Sequence, residues 1–497
     1  MNAGTIATSD KNIVCKVNHK KISIPIKLSS LSELFSGLKE PSILGANIGV
    51  REVERFSYWA ADAKEIFEFR AGEKDPFGKL KQRLDKYHLE KTCEKALPRG
   101  IFCGGWVGYF SYELGRYIEK LPMTTVDDIK MPLIRLCFYD KVICYDHVEN
   151  SFWLIALELP EDIDKPQKKL AYLEGLLAKG QTVSVRHLWP ADLDKIDFSQ
   201  TRCNMTRDYY LRSVEEVKRH IYDGDVYQVN FSQRFECDYK GRPIELFQWE
   251  NHYNPSPYAA YIDGGGFQIV SASPEMFITI TDRSISTKPI KGTRPRRNER
   301  EQENKQNFNE LVRSEKEQAE LNMIIDLERN DLVRICKYGT RKVVQQRTIE
   351  SYPTVFHAVA TVAGELQEKV GFCDVLRAMF PGGSITGAPK ISSMKIIDET
   401  EPTQRGVYTG SIGFIGIDSN VCLNIAIRTI IITGGKAYAQ VGGGIVADSQ
   451  PQAEWDETIT KARALLSGIN SVQRIAYNIK EIQKSKRGKH FAKGKHK

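Results

Sequence analysis

Apolar residues spaced three to four positions apart predict a helix near the middle of the chain. Thr206 is suited to cap its first turn and Gly224 to end it. Its apolar face consists of Leu211, Val214, Val217 and Ile221. Residues 226–235 then alternate, which predicts a strand whose polar face carries Gln228, Asn230, Ser232 and Arg234. That face either lines a polar pocket or meets solvent, and the spacing alone favours neither.

Residues 421–446 predict a second strand pair, 421–433 and 437–446, with a turn at Gly434 and Gly435. Arg428 falls on the face opposite the apolar residues of the first strand. An arginine beside small neighbours on a strand is either a fork for a carboxylate or an edge residue in solvent.

The last predicted helix starts near residue 449 and ends before Gly468. Glu454, Glu457 and Lys461 share one face of it, because they stand at i, i+3 and i+7. Such a stripe is a surface ion-pair ladder or a pair of metal ligands with a cation above. Oxygen ligands without histidine would favour Mg²⁺ over zinc.

Composition indicates an ordinary globular protein, because 41% of the 497 residues are hydrophobic and 27% are charged. No stretch approaches the length of a membrane span and the first residues do not form a signal peptide, so we expect no membrane association. The ten cysteines never form a CxxC pair, which favours a reducing cytoplasm.

The net charge of +8 comes mostly from residues 484–497, which hold seven Lys or Arg and no acid. The rest of the chain is near neutral, so the charge gives no reason to expect nucleic acid as a partner. We expect an N-terminal region at 1–185, a linker at 186–204, a larger domain at 205–470 and a basic, disordered tail at 471–497.

Two glycine-rich motifs each lack a residue that the activity they resemble would require. The GGSITGAPK loop at 382–390 has Ala388 where a P-loop needs lysine, although the loop suits an anion such as a carboxylate. Cys103 lies in GIFCGG, which lacks the nucleophile elbow of a glutaminase. We therefore expect that any ammonia used by this chain comes from a separate subunit.

The sequence resembles the chorismate-utilising enzymes, which include the anthranilate synthases, the aminodeoxychorismate synthases and the isochorismate synthases. The resemblance runs from about residue 104 to 466 and is strongest after 206. It rests on GDVYQVNFSQ at 224–233, SPE at 273–275, PIKGT at 289–293, DLERNDL at 326–332, the loop at 382–390, GGGIV at 442–446 and EWDET at 454–458. It implies an α+β fold of two packed antiparallel sheets flanked by helices, as in anthranilate synthase component I, with 205–470 as the chorismate-binding catalytic domain.

The resemblance also implies roles for individual residues. Lys291 would be a nucleophile and Glu275 the acid that protonates the departing hydroxyl. Glu320 and Glu457, with Glu454 beside them, would bind Mg²⁺. The positions that would hold or flank chorismate are Gly292, Thr293, His357, Tyr408, Arg428, Gly443, Gly444 and Lys461. A buried histidine satisfied by backbone is the alternative for His357.

Two positions distinguish the branches of the family. The isochorismate branch has a lysine at the place of Gln228 to activate water, and an amide cannot act as that base. Lys291 in PIKGT is similar to the aminodeoxychorismate synthases, whereas anthranilate synthases have PIAGT. The resemblance therefore implies amination of chorismate for folate synthesis, with ammonia from a glutaminase subunit. Anthranilate synthesis, or a catalytically idle paralogue that binds a glutaminase, are the alternatives.

Overall fold

The computed structural model describes residues 13–45, 55–90, 97–186, 200–297 and 299–493. Its strands in chain order are β1 (Ile13–Ile22), β2 (Ser42–Leu44), β3 (Phe56–Ala60), β4 (Glu65–Phe69), β5 (Tyr87–Leu89), β6 (Gly105–Phe110), β7 (Ile134–Tyr139), β8 (Lys141–Asp146), β9 (Ser151–Glu158), β10 (Arg202–Cys203), β11 (Gln228–Asp238), β12 (Tyr258–Asp263), β13 (Phe267–Ser273), β14 (Met276–Thr281), β15 (Ser284–Lys288), β16 (Ile290–Pro295), β17 (Lys342–Ser351), β18 (Val355–Glu365), β19 (Gly387–Ala388), β20 (Ser411–Gly416), β21 (Val421–Asn424), β22 (Thr429–Thr433) and β23 (Lys436–Ile445).

The α-helices within the same described ranges are α1 (Leu28–Phe35), α2 (Pro76–Leu84), α3 (Pro166–Gly180), α4 (Arg207–Tyr222), α5 (Pro243–Tyr253), α6 (Glu301–Arg313), α7 (Glu315–Val333), α8 (Phe372–Met379), α9 (Lys390–Thr400) and α10 (Pro451–Lys493). None of the helices in these ranges has the length and apolarity that crossing a membrane requires.

The strands form two sheets, which confirms the predicted α+β fold. A 13-stranded sheet, the long sheet, runs β10-β11-β23-β22-β13-β12-β2-β3-β8-β9-β1-β5, with β19 paired to β11. A 10-stranded sheet, the short sheet, runs β16-β18-β15-β14-β21-β20-β6-β7-β4, with β17 paired to β18. Pairing is antiparallel except between β1 and β5. Aromatic rings join the sheets: Tyr58 of the long sheet meets Phe414 of the short sheet edge-on, with ring centroids 5.5 Å apart.

Both predicted chain regions contribute to both sheets. In the short sheet β6 pairs with β20, and in the long sheet β2 pairs with β12. The strands on either side of the predicted linker therefore share hydrogen-bonded ladders. Residues 187–199 of that linker lie outside the described residues, so the boundary itself stays a prediction.

The predicted helix after Thr206 is confirmed as α4. The Thr206 hydroxyl accepts a hydrogen bond from the Tyr209 amide at 3.2 Å, which satisfies one free N–H of the first turn. Gly224 follows the last turn with φ +84°, a left-handed conformation that glycine adopts without strain.

The single strand predicted over 421–433 is wrong. The chain forms β21 in the short sheet, leaves it after Asn424, and enters the long sheet as β22 at Thr429. Arg428 stands at the end of this crossover with φ +51° and is not on a strand. Alternation could not reveal the break, because the apolar residues on either side of it are buried in both sheets.

The predicted end of the last helix at Gly468 is also wrong, because α10 continues to Lys493. Gly468 allows α10 to approach α5 closely: a Cβ there would lie 2.7 Å from a ring carbon of Trp249. Residues 471–493 lie within α10, and the disorder of the tail at 471–497 stays a prediction. Residues 494–497 lie outside the described residues.

This packing predicts opposite effects of one substitution at two helical glycines. Gly→Ala inside a helix normally gains about 1 kcal/mol, and we expect roughly this gain for Gly175→Ala in α3, where a Cβ meets nothing within 4 Å. Gly468→Ala should instead destabilise by about 1–3 kcal/mol, because it overpacks the contact with buried Trp249. Urea unfolding of both variants measures this. Equal stabilisation would contradict the close helix contact.

Candidate active site

Lys291 lies in an irregular part of the short sheet. The pairing of β16 with β18 shifts register between Ile290 and Thr293, and Gly292 has φ +96° within that shift. A bulge of this kind re-aims the side chain beside it. The half-buried Lys291 ammonium donates to the carbonyl of Ser384 in the 382–390 loop, at 3.4 Å.

Burial and charge act on Lys291 in opposite directions. Loss of solvent lowers the pKa of Lys291 below its ordinary value, and the positive charge of Lys461 contributes to the lowering. The carboxylates of Glu320, Glu275 and Glu457 oppose it. The net direction favours the neutral amine, which is the nucleophilic form.

Glu275 interacts electrostatically with Lys291 and is buried, with only 4% of its surface exposed. The Ile290 amide donates to its Oε1 at 3.3 Å, and the Ser384 side chain also hydrogen-bonds to it. Burial raises the pKa of Glu275, although Ser384, Lys291 and the Ile290 amide each work against the rise. The shift favours the protonated carboxyl, which can act as an acid.

Carboxylates from two helices approach this pair. Glu320 on α7 and Glu457 on α10 both act on the charge of Lys291. Lys461 forms an ion pair with Glu457 at 2.6 Å and donates to the Gly442 carbonyl at 2.8 Å. Lys461 lowers the pKa of Glu457, against the effect of burial.

Glu454 is more deeply buried than Glu457 and accepts a hydrogen bond from the Ser449 hydroxyl at 2.6 Å. Burial raises the pKa of Glu454, and the negative charge of Glu457 adds to the rise. Sequence reasoning missed Glu317, one turn before Glu320 on α7. Its Oε2 is buried and has no hydrogen-bond partner among the described residues.

These carboxylates fit a hard cation such as Mg²⁺, because they supply oxygen donors and one of those oxygens is left unpaired. In the part of the chain that the structure describes, no three His, Cys, Asp or Glu side chains already form a ligand set.

Arg428 and Tyr408 form a second group. Burial lowers the pKa of Arg428, while the charges of Glu250, Tyr408 and Glu457 oppose the lowering. Glu250 is buried on α5, and burial raises its pKa to about 8. Since Arg428 interacts electrostatically with Glu457, this group adjoins the carboxylates around Lys291.

Two glycines of β23 allow side chains to approach the backbone closely from both faces of the long sheet. A Cβ at Gly443 would come within 3.2 Å of the Glu454 Oε2 atom, and one at Gly444 would come within 2.4 Å of Gln228 Nε2. Gln228 is buried, and its Nε2 has no hydrogen-bond partner among the described residues. The polar face of β11 is therefore inside the protein at this end, which decides the question that spacing left open.

His357 lies opposite Thr293 across the β16–β18 pair, and its Nδ1 is 2.9 Å from the Thr293 hydroxyl. Burial lowers the pKa of His357 to about 4, and the positive charge of Arg428 contributes. His357 is therefore neutral at physiological pH. The ring of His357 hydrogen-bonds both to the Thr293 side chain and to the Gly292 backbone, and its role beside the substrate stays a prediction.

A profile that describes chorismate binding enzymes matches residues 39–467. The chain belongs to this family. Aminodeoxychorismate synthase component 1 of Bacillus subtilis (strain 168) is 41% identical over 365 residues, which cover 73% of this chain and 76% of that protein. Anthranilate synthase component 1 of Pseudomonas putida is 37% identical over 398 residues, covering 80% of each.

Among solved structures, anthranilate synthase component I from Streptococcus pneumoniae TIGR4 superposes with a TM-score of 0.73 at 30% identity. The match covers 83% of this chain and 92% of that one. The similarity to this anthranilate synthase structure agrees with the two-sheet fold. The relatives carry two different activities in their names, so identity does not choose between them.

Sequence reasoning also missed Ser384 and Glu250 as individual residues. Ser384 stood within a recognised loop, but nothing in the letters showed that it would contact both Lys291 and Glu275. Glu250 lies among the mostly buried residues of α5, and its proximity to Arg428 depends on the chain path between the two sheets.

The environment of His357 predicts an unusual titration. In protein with isotope-labelled histidine, the NMR resonance that is absent from His357→Gln should stay fixed between pH 8 and 5.5, because its pKa is about 4. A resonance that moves with a midpoint near the ordinary value of about 6.5 would show that the ring is solvated.

Proposed function

We propose that this chorismate binding enzyme combines chorismate with ammonia to form 4-amino-4-deoxychorismate. The carrying observation is the pair of Lys291 and Glu275, one shifted toward the neutral amine and the other toward the protonated acid. A site that must replace a poor leaving group needs both a nucleophile and an acid.

The chemistry divides one difficult displacement into two steps. The neutral Nζ of Lys291 attacks C2 of the ring, the double bond shifts, and the C4 hydroxyl leaves as water with the proton of Glu275. Ammonia then adds at C4 and returns one proton to the Glu275 carboxylate, the double bond returns, and Lys291 leaves C2 as the free amine. The sum is chorismate plus ammonia giving the amine and water.

Both protonation states limit the useful pH range. The reaction requires Lys291 without its proton, because the ammonium cannot attack, and Glu275 with its proton, because the hydroxyl otherwise has no acid. Activity should therefore pass through a maximum and fall toward both lower and higher pH.

The remaining residues would bind the substrate. Arg428 supplies a guanidinium and Tyr408 a hydroxyl for a carboxylate, while the backbone amides at Gly443 and Gly444 are suited to the same task. Gly292, Thr293 and the neutral His357 flank the bulge that presents Lys291. Lys461 adds positive charge beside the carboxylates.

Mg²⁺ would be held by Glu320 and Glu457, with Glu317 and Glu454 beside them. It would neutralise part of this negative charge and offer a site for a ring carboxylate. The ammonia would come from a separate glutaminase subunit. The relatives are named component 1, which implies a second component.

Anthranilate synthesis is the second candidate, because a relative of that name is 37% identical over 80% of the chain. It would use the same carboxylate and arginine positions but release pyruvate. An idle paralogue is less well supported, because Glu275, Lys291, Glu320, Glu457 and Lys461 are all present and electrostatically connected.

Products distinguish these functions directly. We expect the purified chain with chorismate, Mg²⁺ and ammonium to form aminodeoxychorismate without pyruvate, identified by mass spectrometry. Anthranilate with pyruvate would contradict the proposal, and no turnover would favour the idle paralogue.

The covalent step is tested without ammonia. Chorismate should add to the intact protein with loss of one water, and Lys291→Ala should abolish both the adduct and most amination. Lys288→Ala is the matched control, because Lys288 pairs with Glu350 at the neighbouring strand. Glu275→Gln should lower kcat by roughly 10²–10⁴-fold, the usual contribution of a general acid. Unchanged turnover in Lys291→Ala would rule out the lysine mechanism.

The metal proposal is tested by calorimetric titration of Mg²⁺. Glu320→Gln and Glu457→Gln should each weaken Mg²⁺ binding by about tenfold or more, because each removes a charged ligand. Asp326→Asn is the control on α7, where Asp326 is exposed and pairs with Arg329. Equal Mg²⁺ affinity in all three variants would place the ion elsewhere.

A further inference from the structure

Glu328 is a buried acid in the DLERNDL motif for which the proposed function has no use. It lies two turns beyond Glu320 on α7, and only 3% of its surface is exposed. Its Oε1 accepts a hydrogen bond from the Gly383 amide at 3.3 Å. The Glu328 carboxyl therefore binds the backbone of a loop.

That loop reaches the two groups that would carry the reaction. Gly383 packs so closely on α7 that a Cβ there would lie 2.5 Å from a side-chain carbon of Leu327. The next residue, Ser384, accepts the hydrogen bond from Lys291 and also bonds to Glu275. One contact of Glu328 thus fixes the backbone beside both groups.

The other end of the loop is held separately. Lys390 forms an ion pair with Asp331 at 2.6 Å and donates to the Met379 carbonyl at 2.8 Å. Arg405 also donates to the Ile385 carbonyl at 3.1 Å, so removing Glu328 would loosen Gly383 and the backbone of Ser384 while Ile385 and Lys390 stay attached.

We propose that Glu328 is a positioning residue for the Lys291–Glu275 pair: through the Gly383 amide it holds the backbone of the neighbouring Ser384 in place. The inference rests on the proposed function, because it takes Lys291 as the nucleophile and Glu275 as the acid. Glu328 acts through the loop and need not touch the substrate.

Electrostatics give the second half of this role. Burial raises the pKa of Glu328 to about 7, and the negative charges of Asp331 and Glu275 add to the rise. Lys390 and the Gly383 amide oppose it. Because a charge–charge interaction acts on both partners, an ionised Glu328 also disfavours the charged form of Glu275.

Two substitutions separate the hydrogen bond from the charge. Glu328→Gln keeps an oxygen for the Gly383 amide but removes the negative charge, whereas Glu328→Leu keeps only volume. We expect Glu328→Leu to lower kcat by about tenfold or more with little change in KM, because displacing reacting groups by about 1 Å costs up to 10²-fold. Glu328→Gln should restore most of kcat at the pH optimum.

The pH profile gives a readout that a purely structural role would not move. In Glu328→Gln the limb of the kcat profile that reports Glu275 should shift to lower pH, because the negative charge of Glu328 no longer disfavours ionisation of Glu275. Glu113→Gln is the matched control. Glu113 is equally buried, its pKa is also raised to about 7 by burial, and it accepts the amides of Arg405 and Gly406. Its substitution should leave that limb in place.

The outcomes are distinct. A pH profile that does not move in Glu328→Gln, or an unchanged kcat in Glu328→Leu, would overturn the role of Glu328. If Glu328→Leu fails to fold, the limb in Glu328→Gln decides alone. Rates are followed by chorismate consumption, so a wild type that forms anthranilate and pyruvate would refute the proposed function and still allow the limb to be measured.

Discussion

The buried ion pair between Arg405 and Glu401 connects the parts of the chain that surround the site. The guanidinium donates twice to Glu401, at 2.6 and 2.9 Å, and also to the carbonyls of Asn230 on β11 and Ile385 in the glycine-rich loop. Its backbone amide donates to Glu113. Removing one partner from such a pair leaves an uncompensated buried charge and costs about 3–5 kcal/mol. This geometry must therefore form before the loop, β11 and the segment around Tyr408 have defined positions.

Within that frame, exclusion of solvent explains both halves of the proposed chemistry. Burial disfavours the charged form of any group, so it moves the pKa of Lys291 down and that of Glu275 up. Their mutual attraction works against both shifts. Burial dominates because few hydrogen bonds stabilise the charged forms. Among the described residues, the Lys291 ammonium donates one hydrogen bond, at 3.4 Å, to the Ser384 carbonyl.

Local patterns predicted what depends on neighbours in the chain. The cap at Thr206 could be predicted from residue spacing. The two-sheet fold and the grouping of Lys291 with Glu275, Glu320 and Glu457 were implied only by the resemblance to a known family. What failed depends on distant contacts. The break before Arg428 and the continuation of α10 through Gly468 are decided by packing against other elements, and the hydrogen bond of Glu328 to Gly383 joins residues 55 positions apart. Periodicity carries no information about such pairs.

The interleaving of early and late strands sets the order in which this protein can fold. Strand β6, complete by residue 110, receives its partner β20 only after residue 416 has been made, and β2 waits for β12. Until then both early strands present open edges, which are templates for wrong pairing. Closing contacts over such sequence separations is slow. During synthesis the N-terminal half is therefore an incomplete fold, and a ribosome that stalls before β20 would release a chain prone to aggregate.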